Sequence, residues 1–187
     1  AVKGIRSIAI LAPSSIYGDM AVAAAQNAGV SIVETQRYAN NKDSIKKAVA
    51  AISAKRGEIQ GILLPDGGAA LGSVAAELTA VALSSHDIPI IGTGLWDDQN
   101  VQQHNVLVGG FYASSDPAQR TKFVSRYQKA YGGKPVRLAS LAYDATALVA
   151  VLAKQGLNYD ENALTNPSGF AGLDGIFRLM PDGVTER

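Results

Sequence analysis

The sequence predicts an α/β fold, a doubly wound parallel sheet forming a Rossmann-like lobe with three layers, α/β/α. Short continuous apolar runs, such as residues 8–11 and 62–64, are typical of strands that are buried on both faces of a parallel sheet. Each run leads into a polar or glycine-bearing loop and then into an Ala-rich segment with helical spacing. This alternation continues to about residue 110, which favours right-handed crossovers around one sheet.

Composition narrows the class of protein. The 187 residues are 47% hydrophobic and 18% charged, which fits one α/β domain, or one lobe plus part of another. A net charge of +1 and an aromatic content of 6% argue against a nucleic-acid partner or an anionic membrane. The absence of cysteine excludes thiol catalysis, cysteine-based zinc sites and disulfides, and the two histidines lie too far apart in sequence for a typical metal site. No metal or cofactor is expected.

The first part of the chain is predicted to alternate strands and helices. The strands are expected at residues 7–12, 30–34, 59–64, 88–92 and 106–110, and the helices at residues 19–28, 44–55 and 69–84. Gly29 ends the first helix by supplying a left-handed residue just past its last turn. The polar segment 38–43 is expected to be a turn, in which either Asn41 or Asp43 caps the second helix.

The remaining part of the chain lacks this alternation. Asp116-Pro117 is a good helix opening, and Phe123, Tyr127 and Tyr131 follow at helical spacing, which predicts a core stripe rather than a cofactor site. A second apolar helix is expected over residues 138–152, with Tyr143-Asp144 interpreted as a structural helix start. A hairpin with its turn at residues 180–183 is expected within residues 170–184.

Three loops follow predicted strands and therefore carry the candidate binding site, because ligands of open α/β sheets bind outside the carboxyl ends of the strands. The loops offer hydroxyls, a glycine pair, carboxylates and a flat aromatic side chain. The candidate ligand-binding residues are Ser14, Ser15, Tyr17, Asp66, Gly67, Gly68, Trp96 and Asp97. The alternatives are helix capping for the two serines, a plain tight turn for the glycines and a core position for Trp96.

Enzymatic motifs are missing from the sequence. It contains no P-loop and no Gly-x-Ser-x-Gly elbow, and residues 92–97 fail the dinucleotide fingerprint at its last glycine. Neither histidine is placed by sequence to activate Ser14 or Ser15. We therefore expect a protein that is not an enzyme.

The order of the motifs resembles the type 1 periplasmic binding protein family, which includes leucine/isoleucine/valine-binding proteins. The matching stretches are Ile8-Ala9-Ile10-Leu11 with Tyr17-Gly18, Ile62-Leu63-Leu64 with its glycine loop, Ile88-Pro89-Ile90-Ile91-Gly92, Phe123…Tyr127…Tyr131-Gly132, Ala142-Tyr143-Asp144-Ala145, and Gly172-Leu173-Asp174-Gly175-Ile176-Phe177…Asp182-Gly183. The resemblance implies that residues 5–133 form the family's second lobe and that residues 134–187, a helix and a hairpin, belong to an incomplete first lobe.

The resemblance also implies a function. The expected protein is a periplasmic solute-binding protein that holds a small polar ligand, such as an amino acid or amide, between two lobes and delivers it to the permease of an ABC transporter. Tyr17 matches a family ligand contact. The family's amino-acid binders place a Tyr in the loop that is Gly67-Gly68 here, and an acidic residue in the loop of residues 93–95; this chain has neither, so Asp66 and Asp97 are the candidates for the acidic role.

The alternative comes from the same resemblance. Residues 92–96 and 169–178 look most similar to a subgroup of penicillin-binding protein activators, which are lipoproteins. Under this alternative the chain is a regulator of peptidoglycan synthesis, lipid-anchored in the full-length protein, whose partner is a penicillin-binding protein.

Self-association is expected from the apolar helix at residues 138–152. The side chains of its apolar face are Leu141, Leu148, Val149 and Leu152. A face of this size does not stay solvated, so this helix and the hairpin at 170–184 are expected to pack on a neighbouring copy or to be mobile.

Overall fold

The computed structural model describes residues 4–98, 100–136, 138–156 and 159–186. The chain forms two compact units, Ala1–Ser114 (unit 1) and Ser115–Arg187 (unit 2), each with its own sheet. No helix within the described ranges is long and apolar enough to cross a membrane.

Unit 1 is built on a five-stranded parallel sheet in the order β2-β1-β3-β4-β5. Its strands are β1 (Ser7–Pro13), β2 (Ser31–Tyr38), β3 (Gly61–Leu63), β4 (Ile90–Gly92) and β5 (Phe111–Tyr112). The chain runs outward from β1 to β2 and then returns to the other side of β1 for β3. This confirms the predicted doubly wound sheet, whose topological switch point lies between β1 and β3.

Helices cover both faces of this sheet. They are α1 (Ile16–Asn27), α2 (Lys42–Ala54) and α3 (Gly68–Ala80). Side chains of α2 and α3, among them Ile45, Ile52 and Leu71, bury the main core with one sheet face, whereas α1 covers the opposite face at Ile8 and Ile10. The three predicted layers are therefore present within unit 1.

The caps of these helices follow the sequence. The side chain of Asn41 accepts a hydrogen bond from the backbone N–H of Ser44 at 2.9 Å, so Asn41, rather than Asp43, caps α2. Gly29 has a φ of +70°, the left-handed conformation expected just past α1. A side-chain oxygen at the cap and a glycine beyond the last turn satisfy helix-end groups at little conformational cost.

Strand β2 is longer than predicted. Its last four residues pair in register with β1, and Tyr38 lies opposite Pro13. The sequence predicts a turn from Tyr38, but this side chain is 1% exposed and belongs to the core. The polar composition of this segment, which includes Thr35 and Arg37, favours a loop. Pairing with β1 and burial of the Tyr38 ring stabilise it as a strand instead.

The prediction of a strand at residues 106–110 is wrong. Val106 and Leu107 lie in a buried 3₁₀ turn, Asn105–Leu107, and β5 begins only at Phe111. Gly110 lies so close to β4 that a Cβ atom there would stand 2.8 Å from the carbonyl oxygen of Ile90. The apolar side chains of this run are therefore buried by a turn and not by a strand. The chain joins the sheet only after Gly110 has brought its backbone close to β4.

Unit 2 contains helices and an antiparallel sheet. The helices are α4 (Pro117–Tyr131), α5 (Ala139–Lys154) and α6 (Glu161–Leu164), and the strands are β6 (Phe170–Gly172), β7 (Gly175–Leu179) and β8 (Thr185–Glu186) in the order β6-β7-β8. As the sequence predicts, Asp116 caps α4, with Pro117 following it, and a turn at residues 180–183 joins two antiparallel strands. A second tight turn joins β6 to β7.

The hairpin region packs on α5 of the same unit. Leu148, Leu152 and Phe177 form a small core, with Phe170 and Leu179 packed against it. The expectation that Leu148 and Leu152 need a neighbouring copy to cover them is therefore wrong, whereas mobility of the helix and hairpin stays a prediction. The other predicted members of that face, Leu141 and Val149, are exposed, and self-association through them stays a prediction.

The aromatic stripe of α4 is not a core stripe, contrary to prediction. Within the described residues α4 has no buried side chain, and Tyr131 is 75% exposed. The rings instead contact one another, with Tyr127 and Tyr131 centroids 4.7 Å apart, and Phe123 meets Tyr143 of α5 edge to face at 5.3 Å. Helix α4 belongs to unit 2, the compact unit that begins at Ser115. The predicted lobe boundary at residue 133 stays a prediction.

Asp144 has a structural role, as predicted, but not at a helix start. Because α5 begins at Ala139, Asp144 lies beyond the first turn, where it is buried. Its carboxylate accepts the backbone N–H of Leu173, at 2.9 Å from Oδ1, in the turn between β6 and β7. A Cβ atom at Gly172 would lie 2.4 Å from Asp144 Oδ2, so any larger residue here would displace this carboxylate.

Candidate ligand-binding site

The candidate site lies at the carboxyl edge of the sheet of unit 1. In the observed strand order β1, β3 and β4 are neighbours, so the three loops that follow them leave the sheet side by side. This edge includes the switch point between β1 and β3, where open α/β sheets place their ligands. The candidate residues from the sequence all lie on these loops or on the first turns that follow them.

A hydrogen bond joins the first and third of these loops. Tyr17 lies in the first turn of α1, and Thr93 comes directly after β4. The hydroxyl of Tyr17 donates a hydrogen bond to Thr93 Oγ1 at 2.8 Å. Thr93 also accepts the backbone N–H of Leu95 at 3.4 Å, which starts a short 3₁₀ helix. Tyr17 is 41% exposed, so this pair of hydroxyls lies where a solute can reach it.

The glycine loop lies between them and touches the third loop. A Cβ atom at Gly67 would stand only 3.0 Å from the Cβ of Leu95, so the two loops touch at this glycine. Gly68 has a φ of +61° and open space around its Cα. Gly67 is the N-cap of α3, and it offers no side-chain hydrogen bond to the first amides of that helix. The first two residues of α3, a glycine and an alanine, are exposed.

Asp66 is held inside its loop. The hydroxyl of Tyr38 donates to Asp66 Oδ2 at 2.5 Å, and Asp66 Oδ1 accepts the backbone N–H of Gly67 at 2.8 Å. Burial raises the pKa of Tyr38 far above its usual range, and the hydrogen bond to Asp66 and the charge of Asp66 raise it further. Tyr38 thus stays a donor, and Asp66 uses both oxygens within the protein.

The two serines have backbone roles at the start of α1. Ser15 caps the helix, its Oγ accepting the backbone N–H of Gly18 at 3.2 Å, which is the capping alternative that the sequence left open. The backbone N–H of Ser14 donates to the carbonyl oxygen of Tyr38 at 2.8 Å, tying this loop to the end of β2. Both side chains are exposed on the same edge as Tyr17.

Trp96 belongs to the core rather than to an open surface. It is 4% exposed and lies over Gly92, where a Cβ atom would stand 2.1 Å from Trp96 Cδ2. The flat platform expected from the sequence is therefore packed against the backbone of β4, because Gly92 leaves room for the ring. Asp97, the next residue, is half-buried.

Sequence reasoning missed three residues that shape this edge: Arg37, Tyr38 and Thr93. Arg37 pairs with Asp19 at 2.5 Å and reaches the carbonyl oxygen of Ser15 at 3.4 Å, so it holds the first turn of α1. The strand was predicted to end before Arg37 and Tyr38, and Thr93 lay unmarked inside a predicted loop. Continuing the predicted strand β2 as far as Tyr38 would have identified Arg37 and Tyr38.

No metal centre is formed by the part of the chain that the structure describes. Among those residues no group of three or more His, Asp or Glu side chains comes together in a way that could hold a metal ion.

Comparison with protein families gives a match along most of the chain. A family model described as "Periplasmic binding protein" matches residues 1–175. Among curated proteins, no sequence matches significantly.

Solved structures of the same fold come from several bacteria. A branched-chain amino acid ABC transporter periplasmic ligand-binding protein from Burkholderia xenovorans LB400 has a TM-score of 0.74 at 20% identity, covering 99% of this chain and 52% of its own. A substrate-binding protein of an ABC transporter from Desulfitobacterium hafniense, in complex with Leu, gives 0.62 at 20% identity, covering 97% and 55%.

A third structure carries a different ligand class. It is a solute-binding protein of an ABC transporter from Rhodopseudomonas palustris BisB5 in complex with 3,4-dihydroxybenzoic acid, with a TM-score of 0.62 at 20% identity, covering 96% of this chain and 53% of its own. At such identities the likeness shows the fold. The chain spans about half the length of the solved structures it matches.

Proposed function

The chain belongs to the periplasmic binding protein family, and from this premise we propose that it is part of the solute-binding protein of an ABC transporter. The carboxyl edge of β1, β3 and β4 is the surface that meets the solute. The activity is binding without a chemical step. The site of action is the periplasm or its extracytoplasmic equivalent, and the protein partner is the transporter's permease.

One observation carries this proposal: the hydrogen bond between Tyr17 and Thr93 at the sheet edge. It brings together two loops that are 76 residues apart in sequence, on either side of the Gly67-Gly68 loop. Convergence of three loops at a switch point, with accessible hydroxyls and a close backbone approach, is what a binding edge of this fold requires.

The proposed ligand is a small polar molecule such as an amino acid or amide. Hydroxyls and backbone amides at this edge donate hydrogen bonds to carboxylate or carbonyl oxygens. Leu and 3,4-dihydroxybenzoic acid, the molecules bound by two related structures, both carry a carboxyl group. In this chain Thr93 and its neighbours occupy the loop where the family's amino-acid binders carry an acid, and Asp66 is already bonded to Tyr38 and Gly67.

Calorimetric titration of the complete protein tests this function. The probes are L-leucine, L-isoleucine, benzoate and 3,4-dihydroxybenzoate, and we expect saturable heat from at least one of them. Thr93→Val removes the hydroxyl that bonds Tyr17 and is expected to weaken binding by about tenfold. Tyr159→Phe, which removes an exposed hydroxyl in unit 2, is the control and should bind as the wild type does.

The contrary outcome is also defined. Absence of heat from all four probes, together with capture of a purified penicillin-binding protein by the complete protein, would replace transport by the peptidoglycan-synthesis alternative. Heat that is unchanged by Thr93→Val would keep the function but move the ligand away from this edge.

A further inference from the structure

We propose that Tyr38 and Asp66 form a positioning pair that holds the Gly67-Gly68 loop in its ligand-facing conformation. The inference rests on the proposed function, because it assigns a task to residues beside the proposed site. Neither side chain needs to touch the solute. Tyr38 acts through Asp66, and Asp66 acts through the backbone of the loop.

The pair spans the end of β1. Tyr38 is the last residue of β2, Asp66 follows β3, and β1 lies between these two strands. Tyr38 also pairs in register with Pro13, the last residue of β1. Its hydroxyl therefore ties the outer strand to the glycine loop across the point where the candidate site opens.

The hydrogen bonds fix the loop in two steps. Tyr38 Oη donates to Asp66 Oδ2 at 2.5 Å, which sets the orientation of the carboxylate. The other oxygen, Oδ1, accepts the backbone N–H of Gly67 at 2.8 Å, and the backbone N–H of Asp66 donates to the carbonyl oxygen of Leu64 at 3.0 Å. Leu64, Asp66 and Gly67 are thus linked by hydrogen bonds before the chain turns at Gly68, where φ is +61°.

Glycines make this support necessary. Gly67 and Gly68 have no side chains to restrict the backbone, and the N-cap of α3 makes no side-chain hydrogen bond. A loop of this composition has more accessible conformations than any other, so its ordering depends on contacts from outside. The carboxylate of Asp66, held from a buried ring that is 1% exposed, provides that contact.

The ring of residue 38 without its hydroxyl would not hold the glycine loop. A phenylalanine fills the same space but leaves Asp66 Oδ2, which is half-buried, without its donor. The freed carboxylate can then rotate toward the first amides of α3, which have no acceptor within the helix and where a negative charge is favourable. In that orientation it releases Gly67 and competes with any ligand oxygen that approaches these amides.

Amide hydrogen exchange and calorimetry on the complete protein test the pair. In Tyr38→Phe we expect at least threefold faster exchange of the amides of residues 66–71, and about tenfold weaker binding of whichever of L-leucine or benzoate gives heat with the wild type. The matched control is Ile52→Val, a small core truncation on α2 that lowers thermal stability without touching the loop. It should leave both loop exchange and affinity unchanged, which separates positioning from general stability.

Two variants of Asp66 keep the proposal decisive even where Tyr38→Phe folds poorly. Asp66→Ala removes both bonds and should match Tyr38→Phe, and the double variant should be no worse than Asp66→Ala alone, because the pair acts as a unit. Asp66→Asn can accept from Gly67 through its oxygen and donate to Tyr38 Oη through its nitrogen, so its loop exchange should stay close to that of the wild type.

The result that would overturn the pair is wild-type exchange at residues 66–71 in both Tyr38→Phe and Asp66→Ala. Affinity within twofold of the wild type in both would equally contradict it. If no probe binds to the wild-type protein, the proposed function fails, while the exchange measurement still decides whether the pair orders the loop.

Discussion

At the scale of single residues, Gly18 decides how α1 meets the sheet. A Cβ atom there would lie 2.0 Å from the carbonyl oxygen of Pro13, at the end of β1. The clash is with backbone, so it is relieved only by moving the helix start, which also carries Tyr17. The glycine of the Tyr17-Gly18 motif is therefore a packing requirement at the carboxyl end of β1.

Gly18→Ala tests this requirement. We expect a loss of about 1–3 kcal/mol in the free energy of unfolding, as overpacking of a tight contact costs in cores. Urea denaturation measures it. Gly57→Ala is the control, because nothing lies within 4 Å of a Cβ atom at Gly57, and it should change stability by no more than about 0.5 kcal/mol. Equal stability of both variants would contradict the contact.

The raised pKa of Tyr38 predicts a pH dependence. The folded state keeps this hydroxyl protonated, while the unfolded chain loses the proton near the ordinary value of 10.0. Tyr38 therefore contributes stability that is intact below pH 10 and falls as the pH rises above it, by about 1.4 kcal/mol per pH unit. Urea denaturation between pH 9.5 and 11 should show a shallower decline for Tyr38→Phe than for the wild type, whereas Tyr159→Phe should follow the wild type. Parallel declines in all three would contradict the buried hydroxyl.

Residue predictions from the sequence succeeded where the signal was local. Ser15 at the cap of α1 and Asn41 at the cap of α2 each act through a backbone N–H three residues away. The core position of Trp96 and the bond between Tyr38 and Asp66 depend on residues that only the sheet brings together. Such contacts leave no mark at fixed sequence spacing, so the pattern could not show them.

At the scale of elements, α5 and the hairpin form a core of their own. Leu148 and Leu152 meet Phe177 from one face of β7, while Ile176, the adjacent residue, points to the other face and is exposed. The helical face thus divides into a covered half and an exposed half. This small core stabilises the antiparallel sheet of unit 2, together with the hydrogen bond between Asp144 and Leu173.

Phe177→Ala should unfold unit 2 selectively. We expect a loss of about 3 kcal/mol, the lower end for a buried phenylalanine, because the cluster is small. Far-UV circular dichroism should detect early loss of helix, while fluorescence of Trp96, the single tryptophan and a member of the unit 1 core, should keep its wild-type midpoint. Ile176→Ala is the matched control with little effect. A coincident shift of both probes would contradict separate cores.

Element types were predictable and element ends were less so. Periodicity identified the strands β1–β4 and the helices α1, α2, α3 and α5, because buried faces impose their spacing on the sequence. Helix α4 has no buried side chain among its described residues, and its Asp116-Pro117 opening and aromatic spacing identified it instead. It failed for β5, where Val106 and Leu107 are apolar because a 3₁₀ turn buries them. It also ended β2 too early, since polar residues such as Gln36 and Arg37 continue the strand on the sheet next to β1.

At the scale of the whole molecule, the fold class and the family follow from motif order, and the family model matches residues 1–175. Unit 1 carries a complete switch-point edge, formed by loops after β1, β3 and β4. Our proposal is that this edge meets a solute. Its supports are the Tyr17–Thr93 bond and the glycine loop held by Asp66.

The most direct test is amide hydrogen exchange of the complete protein with and without a saturating probe, L-leucine or benzoate. We predict that the ligand slows exchange at residues 14–18, 66–71 and 93–96, and leaves the hairpin turn at residues 180–183 unchanged. Protection confined to other parts of unit 1, with these three loops unaffected by a ligand that binds, would contradict the claim.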